Sequence, residues 1–166
     1  MPPDERGQRS LGIRRSRQVR GHETSLPRRN GRLGDVPKPS GLRVLVVDDN
    51  RDAVETLAML LRLWGHDVRL AADGPTAVET AAEHRPEVVF LDISLPGMSG
   101  YEVAERLRAN PALRDTVLVA MTGYGQAEDK KETQEAGFTL HLVKPVEPDL
   151  LQKLLTDLGA TRSGSA

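Results

Sequence analysis

Four short apolar runs in this sequence each lead into a side chain able to do chemistry. The run 42–47 is followed by Asp48 and Asp49, the run 88–91 by Asp92, the run 117–121 by Thr122, and the run 139–143 by Lys144 and Pro145. Taken singly, these residues have ordinary duties. An Asp before a helix caps it and complements its dipole, and an Asp before a loop shapes a turn. A Thr after a strand caps, and a Lys lays its stem along apolar surface. Brought together they would do something else. Three converging carboxylates repel one another unless a cation is present. An oxygen-only acidic set suits a hard ion, Mg²⁺ or Mn²⁺. Lys144 would add a second positive charge and Thr122 a hydroxyl, which makes a site shaped for a phosphoryl group.

The convergence requires the runs to lie side by side. The run 42–47 is short, mostly apolar and rich in β-branched valine, the mark of a strand buried on both faces. Residues 51–64 have helical spacing, with Ala53, Leu57, Leu60, Leu61 and Trp64 on one face and Gly65 as a stop. A second strand at 67–71 ends in Ala71, which offers no chemistry. A second helix at 75–84 opens on a proline and turns Ala77, Val78, Ala81 and Ala82 inward. Strands at 88–91, 117–121 and 139–143 alternate with helices at 99–109, 126–136 and 148–158. Five strands alternating with five helices through short connections predict an α/β fold, a doubly wound parallel sheet with helices on both faces. In such sheets the site lies just outside the carboxyl ends of the strands, where the candidate residues fall.

Composition bounds the rest. There is no cysteine, which excludes disulfides and thiolate metal sites. Charges interrupt every apolar stretch, and the Arg-rich start lacks the apolar segment of a secretory signal. A soluble, cytoplasmic protein without membrane contact is expected. Residues 1–40 carry ten Lys/Arg against four Asp/Glu, a net of +6, whereas residues 41–166 carry thirteen against twenty, a net of −7. The first forty residues are rich in Arg, Gly, Pro and Ser and have no apolar period, so a disordered basic arm and linker are expected there. A domain over 41–159 and a disordered tail over 160–166 follow. Nine of the arm's ten basic residues are Arg, but no aromatic side chain interleaves them, which disfavours nucleic-acid binding.

The stretches VVDDN at 46–50, VFLDISLPGMSG at 89–100, AMTG at 120–123 and VKP at 143–145 resemble the receiver domain of bacterial two-component response regulators. The resemblance spans about residues 42–158. It implies a (βα)5 flavodoxin-like sheet with strand order 2-1-3-4-5. Asp92 then matches the phosphoacceptor, Asp49 the direct metal ligand, and Asp48 a second acid that holds the metal through water. The backbone carbonyl of Ser94 matches a further metal ligand. Thr122 matches the hydroxyl that bonds the phosphoryl group, Lys144 its ion-pair partner, and Pro145 the following proline. The switch residue on strand five is commonly Tyr or Phe, and here the matching position holds His141. The resemblance implies a phosphoryl donor, a sensor histidine kinase or a histidine phosphotransfer protein, and a downstream protein met through helix 4, strand 5 and helix 5. It implies self-catalysed phosphorylation without turnover catalysis.

About eight residues follow the fifth helix, too few for a DNA-binding or enzymatic effector, so a stand-alone receiver is expected, close to those of hybrid sensor kinases. Two other readings stay open. An aspartate-nucleophile phosphohydrolase also clusters acids at strand ends, but it wants a DxD spacing that Asp48-Asp49-Asn50 lacks. A phosphate-independent interaction module is disfavoured by the complete set of site residues.

Overall fold

The computed structural model describes residues 41–123 and 130–164. The expected basic arm, the start of the fourth helix at 126–129 and the last two residues lie outside them. The elements run β1 (Arg43–Val47), α1 (Arg51–Leu63), β2 (Asp67–Ala71), α2 (Gly74–His84), β3 (Val88–Asp92), α3 (Gly100–Ala109), a 3₁₀ turn (Pro111–Leu113), β4 (Val117–Thr122), α4 (Lys130–Glu135), β5 (Leu140–Val143) and α5 (Pro148–Ser163). The five strands form one parallel sheet in the order β2-β1-β3-β4-β5. The expected fold class and strand order are therefore the observed ones.

The apolar runs become central strands because both sheet faces are covered. Leu45, Val47, Val89 and Leu91 face a core shared with Ala77, Ala81, Val103 and Leu107. Val44, Val46, Val88 and Phe90 face a second core shared with Val54, Ala58, Leu61, Leu151 and Leu155. Each fully buried Val, Leu or Phe side chain stabilises the fold by about 1.5–3 kcal/mol relative to exposure, so packing on both faces anchors the inner strands. The candidate site is fixed to their ends.

Local signals set the helix boundaries. Asn50, Asp73 and Ser99 cap α1, α2 and α3, and Ser99 with Glu102 forms a reciprocal capping box. Gly65 and Gly137 close α1 and α4 at φ of 89° and 93°, where a side chain would be strained. The inward face of α1 departs from expectation. Val54, Ala58 and Leu61 are buried while Ala53 is exposed and Leu57, Leu60 and Trp64 lie at the margins. Smaller side chains at 54 and 58 bring the helix close to the sheet, and the larger leucines flank the contact. Ala82 of α2 is likewise exposed.

The fifth helix corrects a boundary. It was expected to end at 158 with a loose tail beyond, but α5 continues to Ser163. The hydroxyls of Thr156, Thr161 and Ser163 each donate to the carbonyl four residues earlier. Arg162 ion-pairs with Glu87, the residue before β3, which links the last turn to the edge of the sheet. Among the described residues no helix is long and apolar enough to cross a membrane.

Candidate active site

The carboxyl ends of β1, β3, β4 and β5 bring the expected residues together. Asp48 and Asp92 are buried and Asp49 is exposed, and one carboxylate oxygen from each lies within 4.8 Å of the others. Backbone pairing fixes these positions. Asp48 N–H donates to Ala71 O at 3.2 Å, Ile93 N–H to Met121 O at 3.2 Å, and Lys144 N–H to Thr122 O at 2.7 Å. The register extends β3 and β4 by one residue each beyond the expected runs, so Asp92 stands opposite Met121 and Thr122 opposite Val143.

Lys144 is the counter-charge. Its Nζ lies 2.5 Å from Asp48 Oδ2 and 3.2 Å from Asp92 Oδ2. Burial disfavours the ammonium, but the hydrogen bond it donates to Asp48 and the charges of Asp92 and Asp48 outweigh it and hold Lys144 above the ordinary lysine range. The peptide bond joining Lys144 to Pro145 is cis.

The acids are not equivalent. Asp48 has both oxygens engaged, Oδ1 accepting from Asn50 N–H at 2.9 Å and Oδ2 from Lys144. Asp92 Oδ1 accepts from Ser94 N–H at 3.0 Å. Asp49 projects from the same turn into solvent. Neither Asp of the pair caps α1. That duty falls to Asn50, whose side chain accepts from Ala53 N–H at 3.2 Å, and this leaves the acids free for the cluster. The donor set is oxygen-only and anionic, which fits a hard divalent cation and excludes a soft one.

Sequence reasoning missed Gly100. A Cβ there would come within 2.5 Å of Asp92 O and 2.7 Å of Ile93 Cα. Its N–H donates to Ile93 O at 3.0 Å, so the start of α3 presses directly on the strand end that carries Asp92. A glycine immediately after a helix cap, eight positions beyond an acid at a strand end, was the available signal. Thr122 is buried at the end of β4, and its Oγ1 lies 2.5 Å from His141 Nε2. The two proposed switch residues are thus in direct contact.

The signature of the response regulator receiver domain matches residues 44–156, more than half of the chain. The chain belongs to this family. Receiver domains are signalling modules of two-component systems. The receiver is 35% identical over 109 residues to the response regulator PleD of Caulobacter vibrioides, covering 66% of this chain and 24% of PleD. It is 37% identical over 128 residues to the transcriptional regulatory protein PrrA of Mycobacterium tuberculosis, covering 75% of this chain and 54% of PrrA. The chain thus spans about a quarter of one of these relatives and about half of the other. The polar-differentiation response regulator DivK of Brucella anthropi is 28% identical over 117 residues, 70% of this chain and 95% of DivK. Among solved structures, the chemotaxis response regulator CheY4 of Vibrio cholerae superposes with a TM-score of 0.67 at 31% identity, covering 72% of this chain and 99% of its own. The receiver domain of the sensor histidine kinase PA1611 of Pseudomonas aeruginosa does so with a TM-score of 0.67 at 30% identity, covering 73% and 99%. That structure holds a magnesium ion coordinated in its active-site cleft.

Proposed function

We propose that this receiver accepts a phosphoryl group on Asp92 from a phosphohistidine of a sensor histidine kinase or a histidine phosphotransfer protein, and works in the cytoplasm. The observation that carries the reading is the Lys144 ammonium bridging Asp48 and Asp92, beside the exposed carboxylate of Asp49. An Asp92 carboxylate oxygen forms the new bond to phosphorus while the phosphorus–nitrogen bond of the donor breaks. The electron pair stays on the donor imidazole, which takes up a proton, and Asp92 becomes an aspartyl phosphate. Lys144 neutralises charge on the transferring oxygens, and the rigid strand end supplies in-line positioning.

Asp49, Asp48, Asp92 and the Ser94 carbonyl form the set that would hold Mg²⁺ or Mn²⁺, with Asp49 the direct ligand and Asp48 acting through water because Lys144 and Asn50 already engage it. When bound, the ion supplies further charge neutralisation at the transferring group. Thr122 bonds the phosphoryl group, and His141 follows it as the switch residue. The output is a phosphorylation-dependent contact through α4, β5 and α5, or onward relay. Leu140, Val143 and Leu150 are large apolar side chains exposed on β5 and α5, which supports a protein-contact face there. The domain organisation proposed is a basic arm over 1–40 followed by the receiver, with α5 carrying the domain to Ser163.

The test is incubation with acetyl phosphate and Mg²⁺, followed by intact mass. One added phosphoryl group is expected, lost in Asp92→Asn because an amide cannot form the acyl phosphate. Unchanged labelling of that variant would overturn the assignment. Sustained turnover of a phosphate ester would instead favour a phosphohydrolase.

A further inference from the structure

Thr122 is 1% exposed, so its hydroxyl must find its partners within the protein. Among the described residues they are His141 Nε2 at 2.5 Å and, at the limit of a hydrogen bond, Leu142 O, to which the hydroxyl donates at 3.5 Å. Ala120 stands opposite His141 and Thr122 opposite Val143 in the parallel register, which puts Thr122 and His141 on one face of the sheet. His141 is half-buried on an edge strand.

A hydroxyl carries one hydrogen and two lone pairs, and a neutral imidazole carries one N–H and one bare nitrogen. Two arrangements of this contact therefore exist. In one, the Thr122 hydroxyl donates to a bare Nε2, and its only hydrogen is used. In the other, Nε2–H donates to Oγ1, and the hydroxyl hydrogen is left for another acceptor, the distant Leu142 O or a phosphoryl oxygen. A phosphoryl group offers only acceptor oxygens to its neighbours. It can engage Thr122 only through that same hydrogen.

We infer that His141 is a positioning residue that acts through Thr122. The imidazole with a bare Nε2 holds the Thr122 hydroxyl away from the phosphoryl site, and the imidazole with an N–H at Nε2 releases it. This rests on the reading of Asp92 as phosphoacceptor. The exchange moves the ring hydrogen from Nδ1 to Nε2 through solvent, with no net change in protons. By reciprocity, a phosphoryl group on Asp92 favours the Nε2–H form as strongly as that form favours the phosphoryl–Thr122 contact. A tyrosine or phenylalanine at this place would have no ring nitrogen through which to make this choice. Here the signal crosses from β4 to β5 as a reversed hydrogen bond.

The full chain, with ¹⁵N-labelled histidine, is compared with and without beryllofluoride and Mg²⁺ as a phosphoryl mimic. The His141 Nε2 resonance is expected to move from the range of an unprotonated ring nitrogen toward that of a protonated one. In Thr122→Ala it should stay put while the mimic still binds. His141→Phe should bind the mimic yet lose most of the amide shift changes along β5. His141→Gln should restore part of them, because its amide offers both a donor and an acceptor. If Asp92 and Ser94 amides shift but Nε2 does not, the inference is wrong and the receiver reading stands. An N–H at Nε2 already present without the mimic also overturns the inference. Absence of any change at Asp92 and Ser94 overturns both. Should His141→Phe fail to fold, the wild type and Thr122→Ala decide alone.

Discussion

At the scale of single residues, the three acids differ in what holds them, and their variants should differ accordingly. Asp48 is locked between Asn50 N–H and Lys144, whereas Asp49 projects into solvent. Asp49→Ala is expected to weaken Mg²⁺ binding by about tenfold or more, on the order of 1.4 kcal/mol, and to leave folding unchanged or slightly improved as repulsion is relieved. Asp48→Ala should weaken Mg²⁺ less but cost about 1–2 kcal/mol of stability by releasing Lys144. Calorimetry and urea unfolding read both, and equal metal affinities would contradict the division of roles. Lys144 adds a pH dependence. Its folded value is raised, so its contribution is complete below the ordinary lysine value of about 10.4 and fades as pH rises through the higher folded value. The stability gap between wild type and Lys144→Met should be flat to that point and then shrink, and a gap constant into strong alkali would contradict the pairing. The position of these charges was legible because each follows an apolar run. The Thr122–His141 contact was not, because it depends on the β4–β5 register, which an apolar pattern does not carry.

At the scale of elements, one side chain joins three of them. Arg108, near the end of α3, donates to Gly137 O at 3.0 Å, Thr116 O at 2.8 Å, Arg114 O at 3.1 Å and Leu113 O at 3.4 Å, and reaches Thr139 Oγ1 at 3.5 Å. It fastens the end of α4 and the approach to β5 onto the loop after α3. Arg108→Ala should cost about 2–4 kcal/mol, because several carbonyls lose their donor together. Arg108→Lys should recover only part, since an ammonium cannot span the same fork. Gly137→Ala should also destabilise, because the residue sits at φ 93° and a Cβ would meet Arg108 Cγ at 2.9 Å. Urea midpoints test all three, and a midpoint unchanged in Arg108→Ala would remove the clamp. The strands and helices themselves were readable from period and caps. Two features were not. The inward face of α1 is set by Val54, Ala58 and Leu61, whereas Ala53 is exposed and Leu57, Leu60 and Trp64 are only partly buried. The last turn of α5 carries an ion pair to Glu87, far away in sequence.

At the scale of the whole molecule, the described fold has its own two cores, and residues 1–38 supply no apolar period to add to them. Their deletion should leave the melting temperature and phosphorylation rate unchanged, and a fall of several degrees would show that they contribute to the fold. The remaining question at this scale is how a charge added at one sheet edge reaches a distant surface. A phosphoryl group shifts a conformational equilibrium only by what it does differently in the two states. The difference proposed here is its contacts with Thr122 and Lys144, charge-assisted hydrogen bonds worth about 1.5–3 kcal/mol each. Two such contacts change the ratio of states by roughly a hundredfold or more, enough to turn a minor state into the major one. Lys144 follows β5 and bonds by its backbone to Thr122, so β5 feels both contacts, and α4 is fastened to the start of β5 through Arg108. Amide hydrogen exchange with and without acetyl phosphate should therefore change over 130–143 and along α5, beyond the Asp92 pocket. Thr122→Ala should accept phosphate and lose most of that distant change. A wild type whose exchange alters only around Asp92 would mean that this receiver passes its phosphate onward without switching its surface.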